Sequence, residues 1–240
     1  MKILAVDSSA IPASAAVWED GRLLGEFYSN TRQTHSQTLL PMVENLLKCT
    51  QTALNEIDLF AVSAGPGSFT GVRIGVACVK GLAVPEDKPC AGVSTLEAIA
   101  WNLAHLRGTI CALMDARCQQ VYNAVFEADG ESLRRLTPDR AIAIKDLAQE
   151  ASGWEAPIYL VGDGAKLCHG SPEFSRLGAK LPPEHLLYQR ASGVIAAALR
   201  AQPVSCAQLA PVYLRMPQAA PALRRAGAPP PLDPAPGRVP

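Results

Sequence analysis

The chain has 240 residues, of which 48% are hydrophobic, enough for a sizeable core in one large domain or two small ones. Its 22 basic residues balance 22 acidic ones without forming a cluster, which argues against a main nucleic-acid-binding surface. The sequence has no apolar run of about 18 residues and carries a charge as early as Asp7, so we expect a cytoplasmic protein without a membrane span or signal peptide.

The first 30 residues predict three consecutive strands. Residues 2–7 are aliphatic and β-branched, as in a central strand that is buried on both faces. Two further strands, at 13–19 and 22–28, flank Asp20-Gly21, which is a strong hairpin turn. The first strand ends in a polar Asp7-Ser8-Ser9 segment.

Two helices are predicted next, on either side of a strand at 58–63. The first, at 35–49, has apolar residues at helical spacing, and Pro41 favours a start near Leu40. The second, at 69–83, is apolar around much of its circumference, with Gly71, Gly75 and Gly81 between the larger residues. Because a helix that is apolar nearly all round is buried, we expect both helices to contact more than one surface.

The rest of the chain is less periodic. We expect a strand near Cys90, a helix at 95–105, strands at 109–115, 120–127 and 157–162, and a helix at 191–201. From residue 217 onward the sequence is rich in proline without apolar periodicity, which is typical of a disordered tail. The expected organisation is therefore an N-terminal lobe at 1–105, a C-terminal lobe at 106–216 and a tail at 217–240.

The most informative segment is Gly-Pro-Gly-Ser-Phe-Thr-Gly-Val-Arg-Ile-Gly at residues 65–75. A glycine-rich turn between a strand and a helix exposes backbone N–H groups, which can bind an anion. The segment lacks the Gly-Lys-Ser/Thr of a Walker A loop, and its glycine spacing differs from the dinucleotide fingerprint. A tight turn and a phosphate cradle both remain open at this point.

This segment, together with Lys80-Gly81-Leu82-Ala83, resembles the signature of the bacterial TsaB (YeaZ) family. Four further segments agree with that family and occur in its order, at residues 3–7, 35–43, 115–117 and 211–215. The resemblance covers about residues 1–215. It implies an α/β protein with the actin-like, hexokinase-like ATPase (ASKHA) fold, in which each of two lobes has a mixed sheet and flanking helices.

The resemblance also implies a function in tRNA modification. Members of the family act as non-catalytic scaffold or activator subunits that pair with TsaD for threonylcarbamoyl transfer to the adenosine next to the anticodon of ANN-decoding tRNAs. TsaE and TsaC are further functional partners, a homodimer is an alternative assembly when the chain is alone, and tRNA is reached only through the complex. The chain is expected to have no cofactor of its own, because ATP and metal are held by TsaD and TsaE.

The same resemblance implies that this chain has no catalytic or metal-binding residues. TsaD carries two metal-binding histidines after its own glycine-rich helix, and Thr95 and Ile99 stand at the corresponding positions here. An isoleucine side chain cannot bind a metal ion. The four histidines of the sequence form no pair at i, i+3 or i, i+4 spacing.

Two sets of site residues follow from these arguments. The predicted partner interface lies on the two early helices, with burial wholly inside the chain's own core as the alternative, and consists of Leu39, Leu40, Val43, Leu46, Leu47, Gly71, Val72, Gly75, Val76 and Val79. The candidate nucleotide-proximal residues are Asp7, Ser8, Ser9, Gly65, Gly67 and Ser68, for which a capped strand end is the alternative. Asp115 and Arg117 are expected to form an ion pair or to hold a loop at the lobe junction.

Two other functions remain as alternatives. A stand-alone kinase or ATPase of the actin-like fold would bind nucleotide with metal in the isolated chain. A peptidase would need a nucleophile next to a base, and the sequence offers no such pair that we can assemble.

Overall fold

The computed structural model describes residues 1–215, and the expected tail at 217–240 lies outside the described residues. Within residues 1–215 there are ten strands: β1 (Lys2–Asp7), β2 (Ala13–Glu19), β3 (Arg22–Ser29), β4 (Leu59–Gly65), β5 (Cys90–Ser94), β6 (Arg107–Asp115), β7 (Gln120–Asp129), β8 (Leu133–Arg135), β9 (Arg140–Ala143) and β10 (Ile158–Val161). The same residues form eight α-helices: α1 (His35–Cys49), α2 (Phe69–Ala83), α3 (Thr95–Ala100), α4 (Ile144–Ala151), α5 (Ala165–His169), α6 (Pro172–Ser175), α7 (Glu184–Leu187) and α8 (Ala191–Ala198).

The first sheet has the strand order β3-β2-β1-β4-β5. The two N-terminal hairpins make β1, β2 and β3 antiparallel, and the turn at Asp20-Gly21 has positive φ at both residues, as a two-residue hairpin requires. Strands β4 and β5 extend the sheet in parallel with β1 because α1 and α2 are their crossover connections. The carboxyl ends of β1 and β4 therefore lie side by side.

The second sheet repeats part of this pattern. Its order is β10-β6-β7-β8, and β9 also pairs with β7. Strand β6 is antiparallel to β7 and parallel to β10, as β1 is to β2 and β4. Two mixed sheets with flanking helices confirm the expected α/β class and its two-lobed architecture.

Apolar cores cover both faces of the first sheet. On one face Leu4 and Val6 of β1 pack with α1 and α2, and on the other Ile3 and Ala5 pack with α8. Helix α3 packs against the second sheet through a separate core that includes Leu96. None of the helices in residues 1–215 has the length and apolar character needed to cross a membrane.

The end of the described chain returns to the first lobe, which corrects the expected extent of the second lobe. Helix α8 packs on the first sheet, and Val204 pairs with Cys90 through two backbone hydrogen bonds of 2.8 Å, covering the edge of β5. Residues 191–215 therefore belong with the first lobe. The expected second lobe at 106–216 simply followed the order of the sequence, because the apolar pattern of a helix does not reveal which sheet the helix covers.

The helices differ from expectation in three places. Helix α1 begins at His35 and continues through Pro41, so the expected start near Leu40 is wrong. Helix α3 ends at Ala100 and continues as a 3₁₀ turn to Leu103, and α8 ends at Ala198. The amphipathic α4 and three short helices of the second lobe were not predicted.

Candidate functional site

The carboxylate of Asp7, at the end of β1, is fully buried and hydrogen-bonded within the chain. Its Oδ1 accepts hydrogen bonds from the Ser9 amide at 2.9 Å and the Ser9 hydroxyl at 2.8 Å, and its Oδ2 accepts one from the Ser63 hydroxyl. Burial raises the pKa of Asp7, and the hydrogen bonds from Ser63 and Ser9 oppose this effect. The hydrogen-bonding capacity of the Asp7 carboxylate is thus used by neighbouring residues of the chain.

The glycine loop packs directly on this polar segment. The Ser68 amide donates to the Ser9 carbonyl at 2.7 Å, and the Ser68 hydroxyl caps α2 by accepting from the Gly71 amide at 3.3 Å. A Cβ at Gly67 would lie 2.5 Å from the Ser9 carbonyl oxygen. Glycine is therefore required here by the approach of one backbone to another.

The other side of the loop is covered by the C-terminal segment. Gly65 has φ +128°, and a Cβ there would lie 2.2 Å from the Val212 carbonyl oxygen. The Val212 amide donates to the Ala64 carbonyl at 2.7 Å, and Lys80 Nζ reaches the carbonyls of Ala207 and Leu209 at 3.3 and 3.1 Å. The tight-turn interpretation accounts for these glycines, and nucleotide proximity stays a prediction.

Thr95 and Ile99, at the positions implied for metal ligands in TsaD, are both fully buried in α3. The Thr95 hydroxyl has no hydrogen-bond partner among the described residues. Across residues 1–215 there is also no group of three or more His, Cys, Asp or Glu side chains that could hold a metal ion.

Most of the predicted interface residues lie inside the chain's own core, so the prediction that they form an exposed face is wrong. The buried members are Leu39, Val43, Leu46, Gly71, Val72, Gly75, Val76 and Val79. Leu47 is half-buried, and only Leu40 is exposed, at 55%. The apolar periodicity identified the face of α1 and α2 that packs on the sheet.

A different face of α2 is uncovered. Ala77 and Gly81 are exposed, and half-buried Ile74, Cys78 and Leu82 flank them. A Cβ at Gly81 would meet no atom within 4 Å. We call the surface formed by these five residues of α2 the outer α2 face. Ala77 and Gly81, small residues four apart, are the sequence signal for this face, but the prediction rested on Gly71, Gly75 and the larger Val residues, which face inward.

Asp115, at the end of β6, and Arg117, in the β6–β7 loop, form the expected ion pair at 3.1 Å. Arg117, Cys118 and Gln119 all have φ between +52° and +64°. The Arg215 guanidinium donates to the Ala116 carbonyl at 2.8 Å, so the C-terminal segment also reaches the second lobe.

Asp163, just after β10, was not singled out from the sequence. It is half-buried, and desolvation raises its pKa to about 6, partly opposed by a 3.4 Å hydrogen bond from the Gln189 amide. The Gln189 Oε1 atom is buried without a partner among the described residues.

The comparisons match proteins named for the threonylcarbamoyladenosine modification of tRNA. A family model described as TsaD, tRNA N6-adenosine threonylcarbamoyltransferase, matches residues 24–220. The tRNA threonylcarbamoyladenosine biosynthesis protein TsaB of Bacillus subtilis is 32% identical over 167 residues, which are 70% of this chain and 73% of that protein. Escherichia coli TsaB is 34% identical over 170 residues, 65% of this chain and 73% of the relative.

Solved structures agree as well. YeaZ from Pseudomonas aeruginosa has a TM-score of 0.74 at 28% identity, covering 89% of this chain and 99% of that one. The ethanolamine utilization protein EutJ from Carboxydothermus hydrogenoformans, at TM-score 0.50 and 16% identity over 82% of this chain and 90% of its own, is similar in fold alone. With the strand orders above, the fold is the actin-like, hexokinase-like ATPase fold.

Proposed function

The chain belongs to the TsaB (YeaZ) family, and we propose that it is a non-catalytic scaffold subunit that pairs with TsaD in the synthesis of threonylcarbamoyladenosine in tRNA. The proposed reaction is threonylcarbamoyl transfer to the adenosine next to the anticodon of ANN-decoding tRNAs. TsaD performs the transfer, TsaE and TsaC act in the same system, and this chain works in the cytoplasm without a cofactor of its own.

The observation that carries this proposal is the outer α2 face. Exposed Ala77 and Gly81, four residues apart, leave a shallow surface on which a second helix can approach closely. Its flanking residues Ile74, Cys78 and Leu82 are apolar and half-buried. An apolar helix face that the chain itself leaves uncovered is typical of a protein–protein interface.

The internal contacts of the glycine loop support the scaffold role. The Asp7 carboxylate has three donors within the chain, and Ser9 and Val212 press against the two sides of the loop. These contacts give the polar groups of the loop a structural role within the chain, which is the role that a scaffold subunit requires of them.

The test is pairing with TsaD followed by modification of unmodified tRNA. Ala77→Arg places a long charged side chain on the outer α2 face, where it reaches solvent in the free chain, so the variant folds. In the complex the same charge is desolvated without a partner, and pairing is lost. Gln149→Arg, an exposed position on α4 in the second lobe, adds the same charge as a control.

The expected result is that wild type and Gln149→Arg co-purify with TsaD and support modification when TsaC, TsaE and ATP are supplied, whereas Ala77→Arg does neither. Circular dichroism of each variant checks that it is folded. A wild-type chain that neither pairs with TsaD nor increases modification contradicts the proposal. Transfer activity by the chain alone contradicts the non-catalytic role.

A further inference from the structure

Arg73 is held in a fixed orientation at the N-terminal end of the outer α2 face. Its guanidinium carbon lies 3.8 Å from the centre of the Phe69 ring and 5.8 Å from that of Tyr213. The two rings are themselves 4.7 Å apart, and Arg73 Nε donates to the Tyr213 hydroxyl at 2.8 Å. Stacking and this hydrogen bond restrict a side chain that is otherwise exposed.

The outer end of this guanidinium has no partner within the chain. Among residues 1–215, the one hydrogen bond of the Arg73 side chain is that from Nε, and no carboxylate forms an ion pair with it. Its Nη1 and Nη2 atoms carry four further N–H donors that water satisfies in the free protein. Arginine presents these donors as a planar fork that matches the two oxygens of a carboxylate.

The position of Arg73 on the helix decides what happens to those donors on association. Arg73, Ala77 and Gly81 are each four residues apart and exposed, so they lie on one face of α2. A helix that packs on Ala77 and Gly81 runs past Arg73 one turn further on and displaces its water. Association is therefore opposed unless the partner supplies an acceptor in place of that water.

We propose that Arg73 binds a carboxylate, from an Asp or Glu side chain of the partner subunit, through Nη1 and Nη2. Tyr213 is the positioning residue, since its hydroxyl holds Nε and its ring stacks on Phe69. This inference rests on the proposed function and adds the charge that the partner must present. It also gives the C-terminal segment a part in recognition.

A carboxylate fits this site better than a tRNA phosphate. Phosphate binding relies on several Lys and Arg side chains that track the backbone, whereas here one arginine adjoins the apolar residues Ile74 and Ala77. A single guanidinium at the end of an apolar helix contact is typical of a protein–protein interface, in which a charged pair fixes how the two surfaces align.

The experiment measures the dissociation constant of the TsaD complex for four variants by titration. We expect Arg73→Gln to weaken binding about 30-fold or more, because a desolvated carboxylate of the partner loses its cation. Arg73→Lys should restore only part of the affinity, since an ammonium cannot form the fork. Tyr213→Phe should weaken binding several-fold. The double variant with both Arg73→Gln and Tyr213→Phe should bind no more weakly than Arg73→Gln alone, because the hydroxyl acts through Arg73.

Arg200→Gln is the matched control. Arg200 is also exposed and stacks on an aromatic ring, with its guanidinium carbon 4.2 Å from the centre of Trp101, but it follows α8 on the opposite face of the first sheet. It should bind TsaD as wild type does.

The outcomes separate this inference from the proposed function. If Arg73→Gln binds TsaD normally while Ala77→Arg does not, the carboxylate contact is wrong and the pairing surface stands. Additive losses from Arg73→Gln and Tyr213→Phe overturn the positioning role of Tyr213. If Arg73→Gln pairs with TsaD normally but loses affinity for tRNA, its ligand is a phosphate and the inference fails. A wild-type chain that does not pair with TsaD overturns the proposed function itself.

Discussion

Gly81→Ala is expected to stabilise the folded chain while it weakens the complex with TsaD. Gly81 lies near the end of α2 with helical backbone, and a Cβ there meets no atom within 4 Å. Alanine is favoured over glycine in a helix by up to about 1 kcal/mol. Since no contact opposes this gain, the free energy of unfolding should rise by about 0.5–1 kcal/mol, and the melting temperature by about 1–4 °C.

Gly71→Ala is the internal comparison on the same helix. A Cβ at Gly71 would lie 2.1 Å from the Ser8 carbonyl oxygen, so α2 would have to move away from β1. Overpacking of this kind typically costs about 1–3 kcal/mol. Two identical substitutions ten residues apart should therefore change stability in opposite directions.

Urea unfolding followed by circular dichroism measures both variants, and titration with TsaD measures the interface. A Gly81→Ala variant that is less stable than wild type would refute the reasoning, because it would mean that another part of the chain covers Gly81. Unchanged TsaD affinity would place the helix contact elsewhere, since one methyl group at a close helix crossing should weaken it.

Two further predictions concern buried charge. Asp163→Asn should remove one pH-dependent contribution to stability. The folded-state pKa of about 6 exceeds 3.8, so the contribution of Asp163 to the free energy of unfolding is greatest below pH 4 and falls as the pH rises to 6. At 1.36 kcal/mol per pH unit this fall is at most about 3 kcal/mol, and urea unfolding at pH 4 and 7 should show a correspondingly larger loss of stability in wild type than in Asp163→Asn. Val79→Glu puts a lone carboxylate at a fully buried position in α2 and should abolish cooperative thermal unfolding; a normal melt would contradict the core assignment.

The sequence predicted the first lobe well because its elements follow strong local rules. Alternation, the Asp20-Gly21 turn and helical periodicity placed β1 to β4, α2 and the end of α1 within about two residues of the observed bounds. Pro41 misled the prediction of where α1 starts. It is exposed, as is Gln37, so the Gln37 carbonyl that loses its bond to the missing N–H can be hydrated instead. The short helices of the second lobe have too few turns for a periodic signal.

The site was harder to predict, because the face of a helix that meets its own sheet and the face that meets a partner are both apolar. Val72, Val76 and Val79 have the larger side chains, and the structure places them in the core. Residues joined by tertiary contacts carried no local signal at all. The bond from Arg73 to Tyr213 spans 140 positions, and that from Arg190 to Glu26 spans 164.

The small residues of α2 therefore have two distinct causes. Gly71 and Gly75 face inward, where a Cβ would meet Ser8 atoms at 2.1 and 2.7 Å, so their size is fixed by the close approach of β1. Ala77 and Gly81 face outward, and a Cβ at Gly81 would meet no atom of residues 1–215 within 4 Å. Any requirement for small residues on the outward side would therefore come from another molecule. Contacts within the chain account for the small size of the inward residues, so the two sides of α2 can be substituted separately. A substitution on a partner surface should reduce pairing without reducing stability, whereas a substitution in the core should reduce stability.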